Sequence, residues 1–338
     1  MKKIKSSELS LNINSVEKLL TYLQLDINKI DYSKNANDSF SFTVPDSFVK
    51  RIKKSDANDP LLLQILPQKK ELIEIKGFSF DPLDEKHVLL APGLLQKYQH
   101  RVLLIATSSC GIHCRYCFRR HFPYSREAYS KESYNKETGK SLLSQQLENN
   151  IQLIKSKTDI TEVILSGGDP LTLNDQRLDL LLEKLSHIPH LKRLRIHSRQ
   201  LIVQPQRITK QLVTILKKFP HPVTIVMHIN HPAEINDEVT QSISHLKQAN
   251  IQLLNQSVLL KNVNDQSEVL ISLSESLYQA GILPYYLHML DAVSGSQHFN
   301  VSNQKAKKII TEMKKKLPGY LVPKLVKEYP DDEYKREL

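Results

Sequence analysis

From residue 101 onward, short β-rich runs alternate with amphipathic helical stretches six times. The runs fall at 101–109, 162–165, 193–196, 223–227, 251–254 and 285–290. Apolar residues at helical spacing follow each one: Leu143, Leu147, Ile151 and Ile154, then Leu178, Leu181, Leu182 and Leu185, then Ile208, Leu212, Ile215 and Phe219. The last three sets are Val239, Ile243 and Leu246, then Leu270, Leu273 and Leu277, then Ala306, Ile309, Ile310 and Met313. Such alternation predicts an α/β fold of parallel strands with right-handed crossover helices. Eight units close a full barrel, so six predict an incomplete (β/α)6 barrel over residues 101–317. Residues 1–100 read as a mostly helical, irregular region that packs on the barrel. Val16, Leu19, Leu20 and Leu23 have helical spacing there, while Pro45, Pro60, Pro67, Pro82 and Pro92 divide the rest. Residues 318–338 form a C-terminal tail.

Composition narrows the function classes. Hydrophobic residues at 40% and charged residues at 25% support a packed core. No uninterrupted apolar run reaches the roughly 18 residues of a membrane span. The basic start at Lys2 and Lys3 leads into Ser7, Glu8 and Ser10 without an apolar stretch, so no signal peptide and a cytoplasmic location are expected. Lysine and arginine exceed the acids by 47 − 36 = 11. The excess is spread over small clusters at Lys53-Lys54, Lys69-Lys70 and 314–316, which reads as a solvated basic surface, with neither membrane nor nucleic acid expected as a partner. The three cysteines are an odd number and argue against a disulfide framework.

Ligands of parallel α/β folds sit beyond the carboxyl ends of the strands. Unusual polar residues fall at those ends here: Cys110 to Cys114, Ser166 to Asp169, His197 to Arg199, His228 to Asn230, Asn255 to Ser257, and His288 with Asp291. Ordinary loop chemistry explains any one of these groups and explains all six poorly. The cysteines are spaced Cys110-x3-Cys114-x2-Cys117. Three thiolates on one loop ligate three irons of a [4Fe–4S] cluster and leave the fourth iron open. The competing reading is zinc, with His113 or His121 as fourth ligand, in a basic nucleic-acid module. Structural zinc sites combine two separated ligand pairs, and no second pair is present.

This cysteine spacing after a first strand, followed one βα unit later by Ser166-Gly167-Gly168-Asp169-Pro170, resembles the radical S-adenosylmethionine superfamily. The resemblance implies that the open iron binds S-adenosylmethionine and that an electron from the cluster cleaves it to a 5′-deoxyadenosyl radical. Ser166, Gly167, Gly168 and Asp169 resemble the contact to its amino group, where glycines let backbone carbonyls approach closely. His228 and Gln256 resemble further contacts to the same cofactor.

A narrower likeness extends over residues 55–328. The segments 114–124, 166–171, 193–199, 254–260 and 283–288 resemble the lysine 2,3-aminomutase family. The match is to its short bacterial branch, which supplies (R)-β-lysine for modifying elongation factor P. That resemblance implies a second cofactor, pyridoxal phosphate, because an amino group held as an imine migrates more easily through a radical. The family's cofactor lysine aligns with Lys335, although the family's glycines give way to Pro330-Asp331-Asp332-Glu333; Lys324 is the nearest substitute. Lys97 and Arg101 resemble positions that hold the cofactor phosphate, though an (i, i+4) basic pair also suits a helix face. Arg119 resembles the holder of the substrate carboxylate, with Arg120 as a competitor. Asp291 and Glu328 resemble acids that bind the distal ammonium of lysine. The implied partners are free L-lysine, a flavodoxin- or ferredoxin-type reductant, and, through the product, elongation factor P and its lysine ligase. Another amino acid as substrate is the alternative on the same fold.

Overall fold

The computed structural model describes residues 11–122 and 142–338. Lys2, Lys3 and the end of the 114–124 motif, Pro123 and Tyr124, lie outside the described residues. Ten strands form one sheet in sequence order. They are β1 (Leu89–Ala91), β2 (Leu94–Leu95), β3 (Arg101–Thr107), β4 (Glu162–Gly167), β5 (Arg193–Ser198), β6 (Val223–Met227), β7 (Gln252–Val258), β8 (Leu283–His288), β9 (Lys324–Lys327) and β10 (Arg336–Glu337). Strands β3 to β9 are all parallel. β1 and β2 add an antiparallel edge before β3, and β10 turns back antiparallel on β9. β1 and β10 do not pair, so backbone hydrogen bonds do not close the barrel.

Two features depart from the sequence expectation. The C-terminal segment is not a simple tail, since β9 adds a seventh parallel strand beside β8, with Tyr286 opposite Lys324 and His288 opposite Val326. Residues 97–100 form a turn before β3, so Lys97 and Arg101 do not share a helix face. The strands also run past their apolar cores: His197, Ser198 and residues 255–258 lie within β5 and β7. Alternation explains this, because one face of each strand is polar and escapes a reading based on hydrophobicity.

The outward faces carry the core. Val102, Leu104, Leu165, Leu194, Ile196, Ile225, Leu253 and Leu287 pack against the apolar stripes of the helices Asp175–Ser186, Lys210–Lys218, Asp237–Gln248, Ser267–Gln279 and Asn303–Lys316. Fully burying each such side chain contributes roughly 1.5–3 kcal/mol. Side-chain caps turn strand into helix: Thr209 accepts the amide of Leu212, Asn236 that of Val239 and Ser302 that of Lys305.

The N-terminal region is a set of short helices, Val16–Tyr22, Lys34–Ser39, Asp46–Val49 and Pro60–Leu63. Their buried residues, including Leu19, Leu20, Phe48, Leu61 and Leu62, form a second apolar cluster that also takes in Ile112 and Val203. It therefore packs against the loop that carries the cysteines. Among the described residues no helix is long and apolar enough to cross a membrane.

Candidate active site

The inner face of the sheet mixes polar side chains with buried apolar ones such as Ile105, Ile164 and Val226. On β5, Leu194 and Ile196 point outward into the core, so Arg195 and His197 point inward. The same alternation turns Arg101 on β3, Gln256 on β7, and Tyr286 and His288 on β8 into the barrel. All six inward side chains are only half-buried, although they face the middle of the molecule. Polar side chains from four strands therefore converge on the barrel interior.

At one end of this space lie the cysteines, in the loop after β3. Tight turns shape the loop: the amide of Cys117 donates to the carbonyl of Cys114 at 3.0 Å, and that of Arg120 to the carbonyl of Cys117 at 3.1 Å. Two flanking arginines fasten it to the N-terminal region. Arg115 donates to Glu71 through Nε and Nη2, at 2.9 and 2.6 Å, and Arg120 donates to the same carboxylate at 2.7 Å. All three side chains are sealed from water. Burial raises the Cys110 thiol, and the facing sulfurs and Asp169 add to it. Burial likewise pushes Cys117 up to about 11. Metal would displace those protons, since the thiolate is the ligand.

The zinc reading needs a fourth protein ligand. Among the described residues no three His, Cys, Asp or Glu side chains converge on one ion. Each candidate fourth ligand has one ring nitrogen on a backbone carbonyl: His113 Nδ1 lies 2.6 Å from that of Ser41, and His121 Nε2 lies 2.9 Å from that of Ser294.

The glycine loop is stapled to the cysteine loop. The amide of Gly168 donates to the carbonyl of Thr107 at 2.8 Å, and that of Asp169 to the carbonyl of Ser109 at 2.7 Å. A Cβ on Gly168 would lie 2.7 Å from the backbone carbon of Ser108, and Gly167 has φ +113°, so this crossing admits only glycine. The Asp169 carboxylate accepts the Ser198 hydroxyl at 2.8 Å and the amides of Leu171, Arg199 and Gln200 at 3.0, 2.6 and 2.7 Å. It ties the ends of β4 and β5 together. His228 follows β6, and its Nε2 lies 2.9 Å from the Tyr116 hydroxyl.

At the barrel's open seam the C-terminal segment folds back. Lys335 pairs with Glu328. Tyr98 donates to Glu328 at 2.8 Å, and Lys97 lies 3.3 Å from the same carboxylate. These contacts join the chain before β3 to the chain after β9 and span the gap that backbone pairing leaves. Burial opposes the Glu328 charge, but Lys335, Tyr98 and Lys97 outweigh it and hold this carboxyl at about 2. Asp291, in the loop after β8, has the opposite fate: burial, with Glu328 and Glu85 nearby, pushes it up to about 7. Arg101 stacks on the Tyr98 ring at 4.3 Å. Lys324, the substitute for Lys335, pairs instead with Glu337 on the surface.

The structure brings Lys335, Glu328, Asp291 and Lys97 into one electrostatic group. It also adds residues the sequence reading missed. Arg119 is gripped by Glu85 and donates to the Ser166 hydroxyl at 3.2 Å. Arg199 donates to Cys114 Sγ at 2.8 Å and to Glu234 at 3.0 Å. Glu71, Glu85, Tyr98 and Glu234 lie in stretches without a recognisable motif. Each sits among other polar or charged residues, such as Lys69 and Lys70 before Glu71 or Asp84 and Lys86 around Glu85, so no local signal sets it apart.

The Radical SAM superfamily profile matches residues 104–273, from within β3 into the helix after β7. An L-lysine 2,3-aminomutase of Buchnera aphidicola subsp. Baizongia pistaciae is 46% identical, over 96% of this chain and 92% of that one. The chain belongs to the L-lysine 2,3-aminomutase family. The Escherichia coli K12 member is 41% identical over 97% of this chain and 89% of its own length. The Clostridium subterminale member is 35% identical over 94% of this chain but only 73% of its own length, so this chain groups with the shorter aminomutases. The family uses a [4Fe–4S] cluster, S-adenosylmethionine and pyridoxal phosphate. The donor sets fit these groups: three cysteine thiols on one loop, a glycine crossing that a Cβ would fill, and the Lys335 amine beside Glu328 at the barrel seam.

Proposed function

We propose that this chain is a radical S-adenosylmethionine, pyridoxal phosphate-dependent isomerase that converts free L-lysine to (R)-β-lysine. The observation that carries this reading is the return of the C-terminal segment, which sets the Lys335 amine beside Glu328 and within electrostatic reach of Asp291 and His288. The family relationship supplies the reaction class.

When bound, the reduced cluster with S-adenosylmethionine supplies a hydrogen-abstracting radical, and pyridoxal phosphate supplies the carbonyl that carries the migrating nitrogen. Cys110, Cys114 and Cys117 hold the iron, and the buried Arg115–Glu71–Arg120 group keeps their loop in one shape. Gly168 and Asp169 present backbone to S-adenosylmethionine, with His228 and Gln256 as further contacts from β6 and β7. Lys335 is the amine that holds pyridoxal phosphate at rest, and Lys97 and Arg101 hold its phosphate. Arg119 takes the substrate carboxylate through its planar fork. Asp291 and Glu328 meet the distal ammonium, which separates lysine from shorter amino acids. A half-buried pocket strengthens both contacts by excluding water.

A flavodoxin- or ferredoxin-type protein delivers the electron in this scheme. The product is then ligated to elongation factor P by a separate enzyme, as the likeness to the short bacterial branch implies. The test is anaerobic turnover: reconstituted, reduced protein given L-lysine, S-adenosylmethionine and pyridoxal phosphate should form β-lysine of R configuration. Protein that cleaves S-adenosylmethionine yet transforms another amino acid better than lysine would overturn the substrate while sparing the radical chemistry.

A further inference from the structure

His197 and His288 have no task in the scheme above. Both point into the barrel, from β5 and β8, because their strand neighbours Ile196 and Leu287 sit in the outer core. Both residues are half-buried, on the face of the sheet that lines the interior. Neither has a hydrogen-bond partner, and each Nε2 is sealed from water with its bonding capacity unmet. Buried polar atoms are nearly always paired, and each exception calls for an explanation. The contrast with His228 is direct, since that imidazole bonds the Tyr116 hydroxyl.

Their surroundings say what the missing partner is. Burial, then Arg195, Lys335 and Arg119, hold His197 well below the usual imidazole range. Burial and Lys335 depress His288 to about 3. The charges of Lys335 and Arg119 both act on His197 across the barrel interior. In the scheme above Lys335 holds the cofactor and Arg119 the substrate carboxylate. His288 stands beside Lys335 and Glu328. A neutral imidazole offers one donor and one acceptor, and a half-turn of the ring exchanges which nitrogen meets the open side. The phenolic oxygen and ring nitrogen of a pyridoxal group need such partners. The basic side chains nearby serve its phosphate.

We propose that His197 and His288 are cofactor-binding residues that hydrogen-bond the ring of pyridoxal phosphate held at Lys335. The proposal rests on the assignment of that cofactor to Lys335. It assigns two residues on the barrel wall that neither the cysteine motif nor the glycine loop identifies.

The test is an anaerobic titration of cluster-loaded enzyme with pyridoxal phosphate, following its visible absorption band, without lysine. His197→Phe and His288→Phe should each raise the Kd about tenfold and displace the band. His197→Gln and His288→Gln keep a side-chain donor and acceptor and should restore most of the affinity. Iron content and reductive cleavage of S-adenosylmethionine should match wild type in all four. Phe variants with wild-type Kd and band overturn the proposal. So do Phe variants that lose the cluster together with the cofactor, which is the signature of a purely structural role. If wild-type protein binds no pyridoxal phosphate, or borohydride traps it away from Lys335, the cofactor assignment itself falls.

Discussion

Glu85 grips Arg119 along one edge of the guanidinium: one carboxylate oxygen lies 2.6 Å from Nη2 and the other 3.0 Å from Nε. The pair joins the N-terminal region to the arginine two residues past the last cysteine, and little of either side chain meets solvent. A flexible guanidinium is thereby fixed in one orientation, with Ser166 on its other nitrogen. That arrangement suits a residue that must present its fork to a carboxylate without first being ordered.

Glu85→Gln should loosen Arg119 and raise KM for lysine about tenfold, with kcat changed much less, because uniform substrate binding is what weakens. Steady-state kinetics at saturating S-adenosylmethionine checks this. A lowered KM would mean that Glu85 competes with the substrate for Arg119.

Asp291→Asn keeps the shape and removes the charge. The lost charge-assisted contact should cost about 2–4 kcal/mol, or roughly 30- to 1000-fold in kcat/KM for lysine. Iron content, cofactor binding and cleavage of S-adenosylmethionine should stay near wild type. Turnover of lysine at wild-type efficiency would remove Asp291 from the ammonium site.

Lysine binding should also depend on pH through Asp291. Burial, Glu328 and Glu85 raise its carboxyl to about 7, against Lys335 and Lys97, which pull it down. The lysine ammonium stays charged up to a pH of about 10, so binding requires the ionised carboxylate. Affinity should therefore rise as pH increases through about 7 and fall about tenfold per unit below it. Calorimetric titrations between pH 5.5 and 8.5 would read the slope, and Asp291→Asn should flatten it.

Glu71→Gln removes the only carboxylate between Arg115 and Arg120 and leaves two buried cations uncompensated. Breaking a buried charge group in this way costs about 3–5 kcal/mol. Urea unfolding should show that loss, and the variant should release iron faster than wild type under a chelator. Unchanged stability would mean that water reaches the triad.

Borohydride reduction followed by peptide mapping should place the pyridoxyl adduct on Lys335. Lys324 pairs with Glu337 at the surface, and an adduct there would show that the C-terminal segment folds differently when the cofactor binds.

The sequence by itself determined the parallel α/β order, the outer faces of the strands and the cysteine and glycine motifs. These are local patterns: a period of two or 3.6 residues, or a spacing within one loop, survives in a linear text. It did not reveal β9, because Lys324 to Lys327 is short and charged at both ends and becomes a strand only by adding to the exposed edge of β8. Only the tertiary structure decided which charges meet. Arg115 and Arg120 find Glu71, Arg119 finds Glu85, and Lys97 and Lys335 both find Glu328. In a linear chain any lysine has many acids to choose from. Folding removes that choice, since a charge taken out of water must have an opposite charge within a few ångströms. The same closure carries Lys335 from the end of the chain to the open seam of the barrel and leaves His197 and His288 facing its interior without a partner.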